Sequence, residues 1–435
     1  MNKVTHRAMS ALIVAALLFV GLGIYIFRFI VHGGEWATFA ANNNLYTSGM
    51  LATGTLTDRY GTLLANAEGE SHVYADDPAV RRAVFHAVGD YSGHVGTGAI
   101  NAFSSKLAGY NPITGTYGVS ASGEEISLTL DSRLCVTAQQ ALAGRKGMVL
   151  LSNYVTGELL VMTSSPTMDP ALDGEPAEGT YINRCLNAKF TPGSIFKLVT
   201  AAAAIENIPD LSTRTFTCNG SVDVAGVTIT CSGVHGTQTF EDALANSCNC
   251  AFAELTLELG PDTLESYVKQ FGFTKSQKLD SITTAAGSFT KDAAGTPGLA
   301  WSGIGQFEDE ICPYSMLRYV SAIANGGTLR EPTILLGHKN SRTDLLDTDT
   351  ANRLRDLMSY NVQSHYGTWN FPGLNVCAKT GTAEVGDGTS HAWFTGFLLD
   401  DAHPYAFVVL VENGGGGLGV AGPIANAVLQ EAVTR

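Results

Sequence analysis

Thr191-Pro192-Gly193-Ser194-Ile195-Phe196-Lys197 leads directly into the apolar run Leu-Val-Thr-Ala-Ala-Ala-Ala-Ile. The Pro-Gly turn and the apolar run predict a buried helix that starts near Ser194 and ends at Asn207 and Pro209. In this helix Lys197 shares the face of Ser194, because residues three apart are neighbours on a helix surface. A dry site can keep the lysine amine neutral, so that it accepts the serine proton. The stretch therefore predicts a serine nucleophile with its own lysine base.

A second Ser-x-x-Lys pattern, formed by Ser288 and Lys291, occurs in the same chain, so the pattern alone carries little weight. The residues that follow it include Asp-Ala-Ala-Gly-Thr-Pro-Gly, which cannot continue a helix. We therefore interpret Ser288 as an ordinary loop serine and Ser194 as the candidate nucleophile.

The composition indicates a globular protein of more than one domain. Of the 435 residues, 45% are hydrophobic and 15% are charged, which excludes a disordered chain. The formal net charge of -14 is not offset by any basic run. Nucleic acids and anionic lipid surfaces are therefore poor partners for this protein.

The segment Ala8 to Phe27 contains no charged residue. At about 1.5 Å per helical residue, it just spans a hydrocarbon core of about 30 Å, which predicts a transmembrane anchor. A cleaved signal peptide is the alternative, but Tyr25 to Arg28 offers no small-x-small cleavage site. Lys3 and Arg7 precede the segment and only Arg28 closely follows it, a modest positive-inside bias that predicts an extracytoplasmic main domain in the cell membrane.

Eight cysteines are present, at positions 135, 185, 218, 231, 248, 250, 312 and 377. They show no paired Cys-x-x-Cys spacing, so we expect no zinc site and interpret most of them as small core residues. Cys218 and Cys231 flank a polar, glycine-bearing insert that predicts a hairpin, which would bring them within bridging distance. The sequence does not decide whether they form a disulfide, because an extracytoplasmic location permits the bond but the redox environment is not given by the sequence.

The pattern of apolar, polar and glycine residues along the chain predicts three regions. Residues 1–32 form a cytoplasmic tip and the anchor, residues 33–120 form a small β-rich pedestal, and residues 121–435 form an α/β domain. Within the pedestal, Gly54 to Ala65 predicts two strands around a turn. The elements predicted in the large domain are a strand at 125–130, a helix at 131–143 capped by Asp131, a hairpin of 147–152 and 159–163, the Ser194 helix, the hairpin between the two cysteines, helices at 239–245, 250–259 and 261–271, a loop at 272–312, helices at 313–324 and 348–360, strands at 374–383, 392–399 and 405–411, and a closing helix from 422.

Two further motifs follow the Ser194 helix. Ser247-Cys-Asn249 comes after a short predicted helix, and Lys379-Thr-Gly381 lies on a predicted strand. Ser247 is suited to relay a proton to the leaving group, and Asn249 can hold Lys197 and a substrate amide. Lys379 adds a cation that disfavours protonation of Lys197 and attracts a substrate carboxylate. The three motifs in this order are typical of serine β-lactamases and penicillin-binding proteins.

The strand that carries the third motif predicts the substrate cleft. Gly381 at a strand edge lets a substrate backbone lie close, as an added strand would. The backbone amides of Ser194 and Thr382 can then face the tetrahedral oxyanion. A competing Ser-x-Asn pattern, Ser359-Tyr-Asn361, lies at a predicted helix end, where we interpret it as a C-terminal cap. Lys-Thr-Gly occurs once, and its apolar flanks favour a strand over the alternative of an exposed turn.

With these motifs the sequence resembles the class B, or monofunctional, penicillin-binding proteins, bacterial transpeptidases that cross-link peptidoglycan. The likeness covers nearly the whole chain. Beyond the three motifs it rests on Thr57-Asp-Arg-Tyr-Gly-Thr-Leu-Leu-Ala65, Asn183-Arg-Cys-Leu, Gly303-Ile-Gly-Gln306, Ala324-Asn-Gly-Gly327, Lys379-Thr-Gly-Thr-Ala-Glu384 and His391-Ala-Trp-Phe394. The resemblance implies catalytic roles for Ser194, Lys197, Ser247 and Asn249, and substrate and β-lactam binding by Lys379, Thr380, Gly381 and Thr382.

The resemblance also implies a fold and a reaction. The expected fold is a membrane anchor, a small β-rich pedestal and an α/β (α+β) domain with an antiparallel sheet and a helical lobe, with the active site between them. The expected reaction is DD-transpeptidation, without metal or cofactor. The implied partners are stem peptides ending in D-alanyl-D-alanine, β-lactams and, because no segment for glycan polymerisation is present, a separate SEDS-type membrane glycosyltransferase.

Some features depart from the family or leave other functions open. Ala378 stands where the family commonly has glycine, which would narrow the approach to the strand. The pedestal is short, and no PASTA-like repeats follow the catalytic domain. A DD-carboxypeptidase or β-lactamase, which uses water as acceptor, is one alternative, and a β-lactam sensor or scaffold without turnover is another. Asn249 disfavours a class D β-lactamase, and we find no counterpart of the deacylating glutamate of class A enzymes between Ser247 and Lys379.

Overall fold

The computed structural model describes residues 2–37, 54–68, 71–108, 110–111, 116–117, 124–172, 174–386 and 388–435. It begins with helix α1 (Asn2–Ala37). Within this helix, the segment Val4–His32, 29 residues long, has a mean hydropathy of 2.5 and is not buried against the rest of the protein. By length and composition this segment can cross a membrane, and it contains the predicted span of Ala8 to Phe27.

A small mixed unit follows. Its elements are β1 (Thr55–Thr57), β2 (Leu63–Glu68), β3 (Ser71–Tyr74), α2 (Pro78–Val88), α3 (Ala99–Ala102), α4 (Ser104–Leu107), β4 (Tyr110–Asn111), β5 (Thr116–Tyr117) and β6 (Glu125–Ser127). Four of the strands form one sheet in the order β3-β2-β1-β6. The two strands predicted within Gly54 to Ala65 are confirmed as β1 and β2. The predicted boundary at residue 120 lies outside the described residues, so the division into pedestal and catalytic domain stays a prediction.

The β1–β2 turn fastens this sheet to the large domain. Asp58 is almost fully buried, and its carboxylate accepts hydrogen bonds from the amides of Tyr60 and Thr62 at 2.9 and 2.8 Å. The same carboxylate accepts from the Ser132 hydroxyl at 2.6 Å, at the start of the next helix. The Arg59 guanidinium donates to the backbone oxygen of Thr129 at 3.2 Å. The Asp-Arg pair therefore joins this sheet to the large domain through one buried and one partly buried hydrogen bond.

The large domain contains a central sheet and a helical lobe. Its elements are α5 (Ser132–Leu142), β7 (Gly147–Asn153), β8 (Leu159–Ser165), a 3-10 turn (Gly193–Phe196), α6 (Lys197–Asn207), β9 (Thr215–Cys218), β10 (Ser221–Val224), β11 (Val227–Thr230), β12 (Gly236–Thr239), α7 (Phe240–Ala245), α8 (Asn249–Gln270), β13 (Lys278–Leu279), β14 (Ile282–Thr283), α9 (Pro297–Ile304), α10 (Pro313–Ala324), β15 (Thr328–Arg330), β16 (Arg342–Asp344), α11 (Thr348–Tyr360), a π-helical turn (Asn361–Tyr366), a 3-10 turn (Thr368–Asn370), β17 (Val376–Val385), β18 (Thr389–Leu398), β19 (Tyr405–Val411) and α12 (Gly417–Ala432).

The central sheet has five strands in the order β17-β18-β19-β7-β8, and every neighbouring pair is antiparallel. Consecutive residues of β7 and β8 are buried, so both faces of the sheet are covered. Helices α5 and α12 pack against the sheet, as does α10. Because β17 is the edge strand, its outer side faces the helical lobe that carries Ser194.

Most predicted elements are confirmed, but three predictions differ from the structure, the first being that the unit predicted as β-rich also contains the helices α2, α3 and α4. The loop predicted at 272–312 contains α9, which Thr296 caps by accepting a hydrogen bond from the Leu299 amide at 3.3 Å. The closing helix starts at Gly417 instead of Gly422, although Pro423 lies within its first turns. Pro423 is the seventh residue of this helix, beyond the first four amides that have no partner within it, so the helix continues across a proline that removes one backbone hydrogen bond.

The predicted hairpin between Cys218 and Cys231 forms as β10 and β11. The disulfide between these two residues, which the sequence did not decide, is absent. All eight cysteines are described, and all carry free thiols. Cys218 Sγ lies 3.5 Å from the sulfur of Cys250, and Cys231 Sγ lies 3.8 Å from the sulfur of Cys248. The hairpin brings each thiol next to α8 rather than into a bond with the other.

Candidate active site

Ser194 lies on the 3-10 turn that precedes α6. The turn begins at Gly193, which has φ 55° and lies so close to β17 that a Cβ atom would stand 2.6 Å from the Thr382 oxygen. The Gly193 amide also donates to the Gly305 oxygen at 2.7 Å. Only glycine fits a position that combines a left-handed backbone with such a close approach. The turn therefore holds Ser194 directly beside the edge strand.

The Lys197 amine lies at the centre of the predicted catalytic residues. Its Nζ is 3.1 Å from Ser194 Oγ, 3.2 Å from Ser247 Oγ and 2.7 Å from Asn249 Oδ1. It also donates to the Ser247 backbone oxygen at 2.6 Å, and lies 5.6 Å from the centroid of the Phe252 ring. These are the contacts that a base needs to take a proton from Ser194 and pass it on.

Ser247 connects the two lysines of the site. The Lys379 amine lies 2.9 Å from Ser247 Oγ, which is also within 3.2 Å of the Lys197 amine. Ser247 has φ 55°, a left-handed conformation that costs free energy for a residue with a side chain. Its hydroxyl is thus held at one place between two proton carriers.

Burial sets the charge of both amines. Lys197 and Lys379 are fully buried. Desolvation lowers the pKa of Lys197 to about 8. Desolvation also lowers the pKa of Lys379 well below its usual range, and the neighbouring Lys197 lowers it further. Two such amines in contact with one hydroxyl favour a state in which one of them is neutral at physiological pH.

The residues predicted to bind substrate lie on β17 in register with β18. Lys379 pairs with Thr395 and Gly381 with Trp393, and a Cβ atom on Gly381 would stand 2.9 Å from the Trp393 Cβ. Thr382 is exposed to the cleft. Ala378, expected to narrow the approach, is buried within the sheet opposite Gly396, which leaves space for its methyl group.

Three side chains that support the site escaped the sequence analysis. The Tyr366 hydroxyl accepts from the Thr380 amide at 3.3 Å and lies 3.2 Å from the Thr380 hydroxyl. The Trp393 indole donates to the Thr191 oxygen at 3.0 Å, and Gln306 donates to the Thr382 oxygen at 3.4 Å. Of these, Trp393 and Gln306 belonged to stretches quoted for the family resemblance, whereas no sequence signal pointed to Tyr366.

A cleft of about 1040 Å³ opens above these residues. Five of the predicted site residues line it, namely Ser194, Ser247, Asn249, Thr380 and Thr382. Trp301 and Phe307 line it from the helical lobe, together with Glu384 from β17. A cleft of this size and polarity suits an extended peptide.

The two competing motifs lie elsewhere and have structural partners. Lys291 pairs with the exposed carboxylate of Asp262 at 2.5 Å and the partly buried carboxylate of Glu265 at 3.1 Å, and Ser288 forms a β-bridge with Glu310. Asn361 is buried, and its side-chain amide donates to the Ala378 oxygen at 2.9 Å, so it holds the backbone of β17 in place. Neither Ser288 nor Ser359 lines the cleft.

Comparison with known proteins agrees with this geometry. Residues 147–430 match the family described as penicillin binding protein transpeptidase domain. The chain belongs to this family. Among its relatives, stage V sporulation protein D of Bacillus subtilis is 30% identical over 348 residues, which are 72% of this chain and 54% of that protein. Peptidoglycan D,D-transpeptidase PbpA of Mycobacterium tuberculosis is 28% identical over 338 residues, 66% of this chain and 67% of that protein.

Solved structures of this family share the fold. The ceftriaxone acyl-enzyme complex of penicillin-binding protein A from M. tuberculosis superimposes with a TM-score of 0.75 at 25% identity, over 88% of this chain and 98% of that one. The D,D-transpeptidase domain of a peptidoglycan glycosyltransferase from Eggerthella lenta has a TM-score of 0.75 at 26% identity, with the same coverage. The predicted family and the predicted fold class, with its antiparallel sheet, are thereby confirmed.

Proposed function

We propose that this penicillin-binding protein is a serine-type peptidoglycan DD-transpeptidase. The observation that carries the proposal is the position of the Lys197 amine, within hydrogen-bond distance of Ser194, Ser247 and Asn249. The name of the relative PbpA and the acyl-enzyme complexes of penicillin-binding protein A support the same chemistry.

In the proposed acylation step the neutral Lys197 amine takes the Ser194 proton, and Oγ attacks the carbonyl carbon of the penultimate D-alanine. The amides of Ser194 and Thr382 stabilise the oxyanion. As the intermediate collapses, the C–N bond breaks and the proton passes from Lys197 through the Ser247 hydroxyl to the leaving D-alanine. An acceptor amine from a neighbouring stem then attacks the ester carbonyl and gives a proton to Lys197. As the new amide forms, the bond between the carbonyl carbon and Ser194 Oγ breaks, and Lys197 passes this proton to Oγ.

Substrate binding is assigned to β17. A stem peptide added along its open edge would meet Thr380 and Thr382, whose side chains share the face that lines the cleft, while Gly381 between them packs closely against Trp393 and Ile195. The terminal carboxylate of D-alanyl-D-alanine would lie near Lys379 and Thr380. β-Lactams acylate the same serine by the same steps.

We further propose that α1 anchors the protein as a single-pass membrane helix with the catalytic domain outside the cytoplasm, and that a SEDS-type glycosyltransferase supplies the glycan strands. The uncharged segment Ala8 to Phe27 within α1 and the basic residues Lys3 and Arg7 before it support the orientation. Cysteine accessibility labelling of intact cells, with single cysteines placed near each end of α1, tests this topology. Labelling of the N-terminal site from outside would contradict it.

Intact-mass measurement separates the transpeptidase from a hydrolase. Full-length protein in detergent is acylated with penicillin, freed of the drug and followed over time. We expect a long-lived adduct on Ser194, because the leaving group stays attached and obstructs an incoming acceptor. Recovery of unmodified protein within seconds would instead assign a β-lactamase.

A D-alanyl-D-alanine stem peptide, offered with and without an acceptor amine, separates the remaining alternatives. Formation of the cross-linked product supports transpeptidation, release of D-alanine alone assigns a carboxypeptidase, and acylation without either product assigns a sensor or scaffold. Ser194→Ala serves as the matched control, and should form neither adduct nor product.

A further inference from the structure

Four potential metal ligands meet beside the Ser247-Cys248-Asn249 turn. They are Cys218 at the end of β9, Cys231 after β11, His235 before β12 and Cys248 within the turn itself. Their ligand atoms all lie within 4.8 Å of one another. Cys218 and Cys248 are buried, while Cys231 and His235 are partly buried.

The separations between the ligand atoms fit a tetrahedral metal better than a disulfide. Cys231 Sγ lies 3.6 Å from His235 Nδ1 and 3.8 Å from Cys248 Sγ. Zinc bonds of about 2.3 Å to sulfur and about 2.0–2.1 Å to nitrogen give a tetrahedron with edges of about 3.5–3.8 Å. A disulfide would need its two sulfurs about 2.05 Å apart.

We propose that Cys218, Cys231, His235 and Cys248 bind a structural zinc ion. Three thiolates and one imidazole form a ligand set that selects zinc among the common divalent metals. Four protein ligands close the coordination sphere, which leaves no open position for a reacting water. The proposed ion is therefore part of the fold and does not take part in acyl transfer.

Hydrogen bonds around the cluster support this assignment. The Asn249 amide donates to Cys231 Sγ at 3.2 Å, as backbone amides do to thiolates in metal sites. The Asn249 side chain donates to the Thr230 oxygen at 2.8 Å, while its Oδ1 accepts from Lys197. The catalytic turn and the hairpin that supplies Cys231 are thus already in contact, and a bound ion would lock them together.

The expected consequence concerns the catalytic turn. Cys248 lies between Ser247 and Asn249, both of which contact Lys197. An ion on Cys248 would hold Ser247 in its left-handed conformation and keep Asn249 against the lysine. The four ligands are positioning residues for the catalytic groups, since none of them is among the groups that contact Ser194 Oγ in the proposed reaction.

Metal analysis of the full-length protein in detergent, purified without chelators, tests the proposal. We expect about one zinc ion per chain, and cobalt exchange should give the visible spectrum of tetrahedral thiolate coordination. His235→Ala and Cys218→Ser should each lose most of the zinc. Cys250→Ser is the matched control, because its sulfur lies only 3.5 Å from Cys218 Sγ but outside the four, and it should retain the metal.

Several outcomes would overturn the proposal. They are wild-type protein that holds no zinc, peptide mapping that finds Cys231 in a disulfide in protein from its native envelope, and a His235→Ala variant that keeps its full metal content. The cobalt spectrum needs no variant, so it decides the question even where a substitution prevents folding. Chelation of the wild type should slow penicillin acylation, and added zinc should restore the rate, whereas an unchanged rate with the metal removed would refute the positioning role.

Discussion

Lys197 is the residue on which the proposed chemistry depends. Lys197→Ala should reduce acylation by fluorescent penicillin at least about a hundredfold, because the general base is lost. Circular dichroism should show that the fold is kept. Lys291→Ala is the matched control, since its lysine also follows a serine by three residues but pairs with surface carboxylates. Near-normal acylation by Lys197→Ala would mean that another group is the base.

The pKa of Lys197 predicts the pH dependence of acylation. With a pKa of about 8, only about one amine in ten is neutral at pH 7, and the neutral form is the base. The acylation rate should therefore rise about tenfold per pH unit below that value and level off above it. Stopped-flow measurement with a chromogenic cephalosporin from pH 6 to 9 checks this. A rate that is flat over this range would place the proton acceptor elsewhere.

At the scale of single residues, the sequence predicts which catalytic residues contact each other, but not which neighbouring groups hold them in position. Ser194 and Lys197 are three apart on one turn, so their contact follows from helix geometry. Tyr366 contacts Thr380 only because a π-helical turn lies under β17, and short-range patterns carry no sign of that packing. The depressed pKa values likewise arise from burial, which depends on the whole fold.

At the scale of elements, the contact between the Ser194 turn and β17 makes Gly193 irreplaceable. Gly193→Ala should lower the free energy of unfolding by about 1–3 kcal/mol and greatly slow acylation, because its Cβ would collide with the Thr382 backbone. Gly260→Ala is the matched control: φ is 75° there, but nothing lies within 4 Å of the new Cβ. It should destabilise by about 1–3 kcal/mol through backbone strain alone, because φ 75° with ψ 167° is a conformation that essentially only glycine adopts, and it should leave acylation unchanged. Urea unfolding and penicillin labelling of both variants measure the two effects, and equal labelling would rule out the collision.

Helix ends were predicted well where local signals act alone. α10 and α11 begin and end at the predicted residues, since Pro313 starts one and Asn325-Gly-Gly ends it, while Asp347 precedes the other. α9 was missed because it is short and lies in a stretch rich in Gly, Ser and Thr. The signals were nevertheless present, with Thr296 before a proline and Gly305 in the left-handed C-terminal position.

At the scale of the whole molecule, Asp58 joins the N-terminal sheet to the large domain. Asp58→Ala should lower the free energy of unfolding by about 2–4 kcal/mol, because it leaves the Tyr60 and Thr62 amides and the Ser132 hydroxyl without their partner. Acylation by the folded variant should stay normal, since the cleft lies elsewhere. Glu125→Ala, an exposed carboxylate on the same sheet, should change stability by less than about 0.5 kcal/mol. Thermal unfolding measures the stability of both variants, and equal stability of the two would contradict a stabilising role for Asp58.

The anchor should be dispensable for the chemistry. A chain of residues 33–435 lacks the exposed apolar helix and should be soluble without detergent, and it should be labelled by fluorescent penicillin at the rate of the full-length protein. Gel fluorescence against the detergent-solubilised chain checks this. A folded but unlabelled truncated chain would show that residues before 33 are needed for acylation.

At the scale of the whole molecule, local sequence patterns do not predict which distant segments come together. Cys218, Cys231, His235 and Cys248 come from four places in the chain, so the Cys-x-x-Cys spacing rule pointed away from a metal site that the fold brings together. The order of the three catalytic motifs could be recognised because each is local. The cysteine cluster could not, because only tertiary contacts define it.

The floor of the cleft restricts how this protein could become resistant to β-lactams. A Cβ atom on Gly305 would stand 2.2 Å from the Gly193 oxygen, and one on Gly381 would meet Trp393, so mutation of either glycine damages the enzyme along with drug binding. Phe307 is half exposed and Val385 lies at the open end of β17, and both line the cleft. Under antibiotic selection, substitutions should therefore appear at Phe307 and Val385, whereas Gly305 and Gly381 should stay unchanged.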